Sequence, residues 1–137
     1  MENRAEIAAE KRRHGYNCAQ AVACTYCDLA GIDEAAMFKM TEGLGLGLGG
    51  MEGTCGALTG ACVLAGMVNS TGNLEKCDSK AGTFRLSKEM SKLFLERNNT
   101  LVCKELKGVE TGKMIRSCED CVKDAAEFVE KVLFADK

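Results

Sequence analysis

Gly43 to Val68 read GLGLGLGGMEGTCGALTGACVLAGMV, and the stretch changes character halfway along. Glycines at 43, 45, 47, 49, 50 and 53 are too dense for a regular helix interior, where each costs about 1 kcal/mol relative to alanine. The first half therefore reads as a loop. From about Thr54 the residues become small and apolar, which predicts a helix with Cys55 in its first turn. A cysteine there meets unpaired backbone N–H groups and the positive end of the helix dipole, and both favour thiolate over thiol. The apolar run from Cys55 to Val68 is well short of the ~20 residues that span a bilayer. It suits a buried central helix packed through small residues.

On either side the chain reads as helices. Residues 2 to about 30 have Ile7, Cys18, Val22 and Leu29 at helical spacing and predict one long helix bent near Gly15 and closed by Gly31. Asp33 is placed to cap a short helix through about Met40. After the central helix, Asn69 to Asn73 is turn composition. A helix from about Lys80 to Arg97 follows, carrying Phe84, Leu86, Met90, Leu93, Phe94 and Leu95. Asn98 and Asn99 stop it, Thr100 is placed to cap a helix through Lys107, and Gly108 to Gly112 is a break. A last helix over about Lys113 to Phe134 has Cys118, Val122, Ala125, Ala126, Val129 and Leu133 on one stripe. No stretch alternates like a strand. The expectation is an all-α bundle of five or six helices, one domain over residues 1–137.

Composition narrows the function. Lys and Arg number 18 against 20 Asp and Glu, interspersed, for a net charge of -2. That leaves no basic footprint for nucleic acid or an anionic membrane, so neither is expected as a partner. The start, MENRAEIAAEKRRHG, is charged and lacks the apolar core of a signal peptide, which places the chain in the cytoplasm. Nine cysteines there point to redox chemistry or metal ligation rather than to a disulfide framework, and an odd count forbids complete internal pairing.

Four stretches carry a resemblance. Tyr16-Asn17-Cys18-Ala19-Gln20-Ala21-Val22, Cys55-Gly56-Ala57-Leu58-Thr59-Gly60-Ala61 after its glycines, Cys103-Lys104-Glu105-Leu106, and Cys118 followed by Val122 and Ala125-Ala126 resemble the C_GCAxxG_C_C family of redox-active proteins. They cover nearly the whole chain in the family's order. The resemblance implies that the family's four cysteines fall on Cys18, Cys55, Cys103 and Cys118, with Cys121, one turn later, as the alternative to Cys118. It implies nothing about Cys24, Cys27, Cys62 and Cys77.

Two readings of the four-cysteine set stay open. In the first, Cys55 is a low-pKa attacking thiolate, and Cys18 or a C-terminal cysteine resolves it as a disulfide, with a redox partner or small-molecule substrate yet to be named. In the second, Cys18, Cys55, Cys103 and Cys118 or Cys121 hold zinc or an iron–sulfur cluster, which soft thiolates favour. The remaining features read as structural. Cys62 reads as core packing, Cys24 and Cys27 sit near a helix C-terminus that opposes a thiolate, and His14 reads as solvated beside Lys11, Arg12 and Arg13. Asn17 can bond either a thiolate or the backbone. The GxGxxG at Gly45, Gly47 and Gly50 follows no strand and precedes no βαβ unit, so it is not read as a dinucleotide site. The pairs Gly49/Gly53 and Gly56/Gly60 instead let backbones approach closely, within the bundle or across a homodimer.

Overall fold

The computed structural model describes residues 3–135. The helices are α1 (Ala5–His14), α2 (Cys18–Thr25), α3 (Cys27–Ala30), α4 (Glu34–Glu42), α5 (Gly45–Leu48), α6 (Gly56–Asn69), α7 (Lys80–Asn98), α8 (Cys103–Lys107) and α9 (Cys118–Leu133). α3 and α8 are single turns of four or five residues, and α5 is a turn of the glycine loop in which Leu46, Gly47 and Leu48 take positive φ, so six longer helices form the body. Among the described residues there is no strand, only an isolated antiparallel bridge between Thr54 and Val102. No described helix is long and apolar enough to cross a membrane.

Two small-residue helices lie at the centre. Every residue of α2 is buried, and α6 packs directly on it, with α7 and α9 against the other sides of α6. Gly56 and Gly60 make that approach possible. A Cβ on Gly60 would lie 2.5 Å from the Ala19 carbonyl oxygen, and one on Gly56 would lie 3.1 Å from the Ala19 nitrogen. The expected close approach holds for this pair. It fails for Gly49, whose Cβ direction is open and whose φ of 88° serves the loop turn instead.

The first helix is not continuous. Gly15 at φ 133° ends α1, and Asn17 then opens α2 with a capping box: its side chain accepts from the Gln20 backbone N–H while Gln20 accepts from the Asn17 backbone N–H. Cys18 is thereby the first residue of a helix and not an interior one. Ile7 falls outside the buried face, which belongs to Ala8 and Ala9.

Downstream, Asp33 caps α4 through the Ala36 N–H, and α7 ends on left-handed Asn99, both as expected. The expected apolar face of α7 is only partly inside. Met90 and Phe94, four residues apart, are buried on one face, while Phe84 and Leu95 are exposed because they fall off that face. Thr100 does not cap α8. Its hydroxyl accepts from the Val102 N–H, and Val102 is the capping residue, with no side-chain bond.

The last helix starts five residues later than the sequence suggests. Ser117 caps it through the Asp120 N–H, and the preceding segment folds back over α8, with the Ile115 and Arg116 N–H groups donating to the Leu106 carbonyl. One buried carboxylate locks this arrangement. Asp124, on α9, accepts from Arg97 and Asn98 of α7 and from Nε and NH2 of Arg116. Asp124→Ala would strand three donors, two of them partly solvated arginines, and is expected to cost about 2 kcal/mol in urea unfolding.

Candidate functional site

Three longer helices and one short turn begin at the same place, each with a cysteine. Cys18, Cys103 and Cys118 are the first residues of α2, α8 and α9, and Cys55 is the N-cap of α6. All four line one cavity of about 90 Å³, together with Cys121 from the next turn of α9. The spacing of three residues brings Cys118 and Cys121 to the same side of α9, so both reach the cavity.

The backbone explains how Cys55 and Cys103 meet. Around the Thr54–Val102 bridge, the Cys55 N–H donates to the Leu101 carbonyl at 2.7 Å and the Cys103 N–H donates to the Gly53 carbonyl at 2.9 Å. The glycine loop allows the fit. Gly47, at φ 56°, has its Cα so close to Cys103 that a Cβ would stand 2.5 Å from the cysteine Cβ. Gly45 leaves the same kind of space for the Asn17 side chain. Asn17 itself bonds backbone groups, the Gln20 N–H and the Glu42 carbonyl, rather than a sulfur. Leu46, Leu48 and Met51 accept positive φ between these glycines, and Leu46 closes one side of the cavity.

The thiols are arranged in two interacting pairs. Cys18 and Cys118 interact across the cavity and share a proton, with the balance toward a Cys118 thiolate. The Cys18 thiol, then Lys107 and Arg12, hold Cys118 down to about 5, well below the ordinary thiol range, while the Cys118 charge and burial push Cys18 up. Cys121 faces Cys55 in the same way. The Cys121 thiol depresses Cys55 against its burial, and Cys121 is raised in return. Cys55 makes no side-chain capping bond, but the amides of Ala57 and Leu58 are near enough to favour its thiolate. Cys103 has no such partner, and burial raises its thiol. The depression expected at Cys55 is therefore present, but a larger one falls on Cys118, which is also the less buried of the two.

A family model described as "Putative redox-active protein (C_GCAxxG_C_C)" matches residues 16–132. The chain belongs to the C_GCAxxG_C_C family. No curated protein and no solved structure matches it. The family assignment brings with it the description redox-active. The cavity also collects the whole sulfur set of the metal reading, Cys18, Cys55, Cys103, Cys118 and Cys121. Among the described residues, no group of three or more His, Cys, Asp or Glu side chains is spaced to hold a metal ion.

The other cysteines of this family member lie elsewhere. Cys24 is buried against the Glu34 carbonyl and pushed up to about 12, chiefly by burial, and Cys27 is raised for the same reason. Cys62 is half-buried and raised, and Cys77 is exposed on the 70–79 loop. His14 is exposed, as expected. What the sequence did not disclose is the cationic lining. Arg12 reads as part of a solvated basic run, yet it turns inward and lines the cavity with Lys107 and Arg116.

Proposed function

We propose that this C_GCAxxG_C_C protein is a thiol–disulfide redox protein in which Cys118 attacks, Cys18 resolves, and Cys55 with Cys121 forms a second dithiol behind them. The observation that carries the reading is the gathering of Cys18, Cys55, Cys118 and Cys121 at one cavity, with Cys118 the less buried and Cys18 the buried member of the outer pair. That division suits a nucleophile and its resolving partner.

The steps balance. The Cys118 thiolate attacks a substrate disulfide RSSR, forming a Cys118–SR mixed disulfide and releasing RS⁻. Cys18 loses its proton to solvent and attacks the Cys118 sulfur. The Cys18–Cys118 disulfide forms and a second RS⁻ leaves, so two electrons have passed to the substrate. The Cys55 thiolate can then attack this bridge, and Cys121 resolves the resulting mixed disulfide, returning the outer pair to the dithiol and leaving a Cys55–Cys121 bridge. Both pairs together store four electrons, and Cys55 keeps a central place as the inner donor. The substrate is a small-molecule or partner disulfide, and the chemistry suits the reducing cytoplasm expected for the chain.

Reduced protein treated with a small aromatic disulfide is expected to lose the four cavity thiols in addition to exposed Cys77, all recoverable with dithiothreitol. Cys18→Ser is expected to stop at a mixed disulfide on Cys118, visible as a mass increment of one RS group on the peptide that contains it. Labelling of Cys77 alone, with the cavity thiols still countable, would overturn the reading.

A further inference from the structure

Arg12, Lys107 and Arg116 line the cysteine cavity, and no described Asp or Glu does. Arg116 is already matched by Asp124 through contacts of 3.0 and 2.8 Å. The other two are not. Lys107 makes no ion pair among the described residues. Arg12 Nε–H is buried with no hydrogen-bond partner among them. Both line the cavity with Cys118, whose thiolate they favour.

Oxidation removes that group. In the redox reading on which this inference rests, a Cys118 thiolate, a Cys18 thiol and RSSR become the Cys18–Cys118 bridge, RS⁻ and RSH, so the cavity wall loses one negative charge and the released thiolate carries it away. With the Cys55–Cys121 pair oxidised as well, the Cys55 thiolate is gone too, and two cations and the positive ends of α2, α6 and α9 face a space without a counter-charge. Partly buried cations in that position attract an anion from solution. A volume of about 90 Å³ corresponds to roughly three waters at their liquid share, which admits a small ion and not a nucleotide.

We propose that the oxidised cavity binds a small oxyanion of the phosphate or sulfate class, held by Arg12 and Lys107 beside the Cys18–Cys118 bridge. A guanidinium fork and an ammonium are the usual pair for such an ion. Because the anion prefers the oxidised state, it stabilises that state by linkage, and rising phosphate makes the protein harder to reduce.

The test is titration calorimetry of the full chain with inorganic phosphate, on oxidised protein, reduced protein and reduced Cys118→Ser. The last removes the charge without any disulfide. Oxidised wild type and reduced C118S are expected to bind one phosphate each, at least about tenfold more tightly than reduced wild type. Arg12→Gln with Lys107→Gln is expected to abolish the binding while thermal unfolding still shows a cooperative transition. Glycerol phosphate run alongside separates the sources: equal or tighter binding assigns the head of an ester, and loss of binding assigns the free ion. Failure of reduced C118S to bind overturns the anion site, whatever the thiols do. A mapped Cys18–Cys118 bridge with affinity equal to the reduced form overturns the redox switch. Binding by C118S with no bridge found in oxidised wild type upholds the site and overturns the thiol–disulfide reading instead.

Discussion

Cys118→Ser is expected to slow turnover of a small disulfide by about three orders of magnitude, because a serine hydroxyl cannot replace a thiolate and exposed Cys77 lies away from the cavity thiols that would resolve its mixed disulfide. Cys55 is the other depressed thiol, but only 5 % of its surface is exposed, and its partner Cys121 shows 2 %. In the proposed sequence they are reached through the outer pair. The pH profile separates this role from a structural one. The thiolate is the reactive form, so a thiol held down to about 5 keeps its rate as pH falls to about that value and loses it below. An ordinary thiol near 8.5 is under about 1 % ionised at pH 6, whereas one near 5 is about nine-tenths ionised. Alkylation followed by peptide mapping at pH 6 is therefore expected to find Cys118 labelled well before Cys24, which burial pushes up to about 12. Arg12→Gln removes one of the charges that favour the thiolate and is expected to move the half-point of the profile upward. A half-point that stays near 8.5 in the wild type would remove Cys118 from the role.

Gly60→Val is expected to cost about 3 kcal/mol, the upper part of the usual range for overpacking. The added Cβ would meet the Ala19 carbonyl oxygen at 2.5 Å and the Ala19 Cα at 3.0 Å. Both are backbone atoms of a fully buried helix, so no side chain can swing aside and α2 must move. Cys18 adjoins Ala19, which means that the same displacement pulls the outer thiol pair apart and lowers thiol reactivity along with stability. Gly66→Ala is the matched control in the same helix. Nothing lies within 4 Å of its Cβ position, and alanine is the better helix former by up to about 1 kcal/mol, so this variant is expected to be neutral or stabilising. Urea midpoints that fall equally for the two would show that α6 and α2 are not held by close backbone contact.

Much of this was legible along the chain, for reasons that can be named. The bounds of α7 follow from turn composition before Lys80 and the Asn98-Asn99 stop, local signals that tertiary contacts do not override. Cys55 stood out through helix-start chemistry, whereas Cys18, Cys103 and Cys118 entered only through the family pattern. The break between α1 and α2 was also written locally, in the N-x-x-Q capping box of Asn17 and Gln20, but the alanine-rich background on both sides concealed it. The pairing of Cys18 with Cys118 and of Cys55 with Cys121 was not legible, because it depends on how α9 sits against α2 and α6. Arg12 was hidden for a related reason. Three consecutive basic residues cannot all face one way on a helix, and nothing local says which one turns inward. The Asp124 clamp draws Arg97, Asn98 and Arg116 from distant segments, so composition alone gives it no signature.

The convergence of four helix starts on one cavity also bears on how the protein is made. Its cysteines come from positions 18, 55, 103, 118 and 121, so the site closes only through contacts between residues far apart in sequence, the kind that form late because chain must first be looped together. During synthesis Cys18 and Cys55 emerge long before Cys118 and Cys121 exist. The nascent chain thus carries its earlier thiols without their proper partners, and a reducing environment protects it from premature, wrongly joined crosslinks. In refolding experiments, protection of Cys18 from alkylation is expected to report that the C-terminal helix has docked.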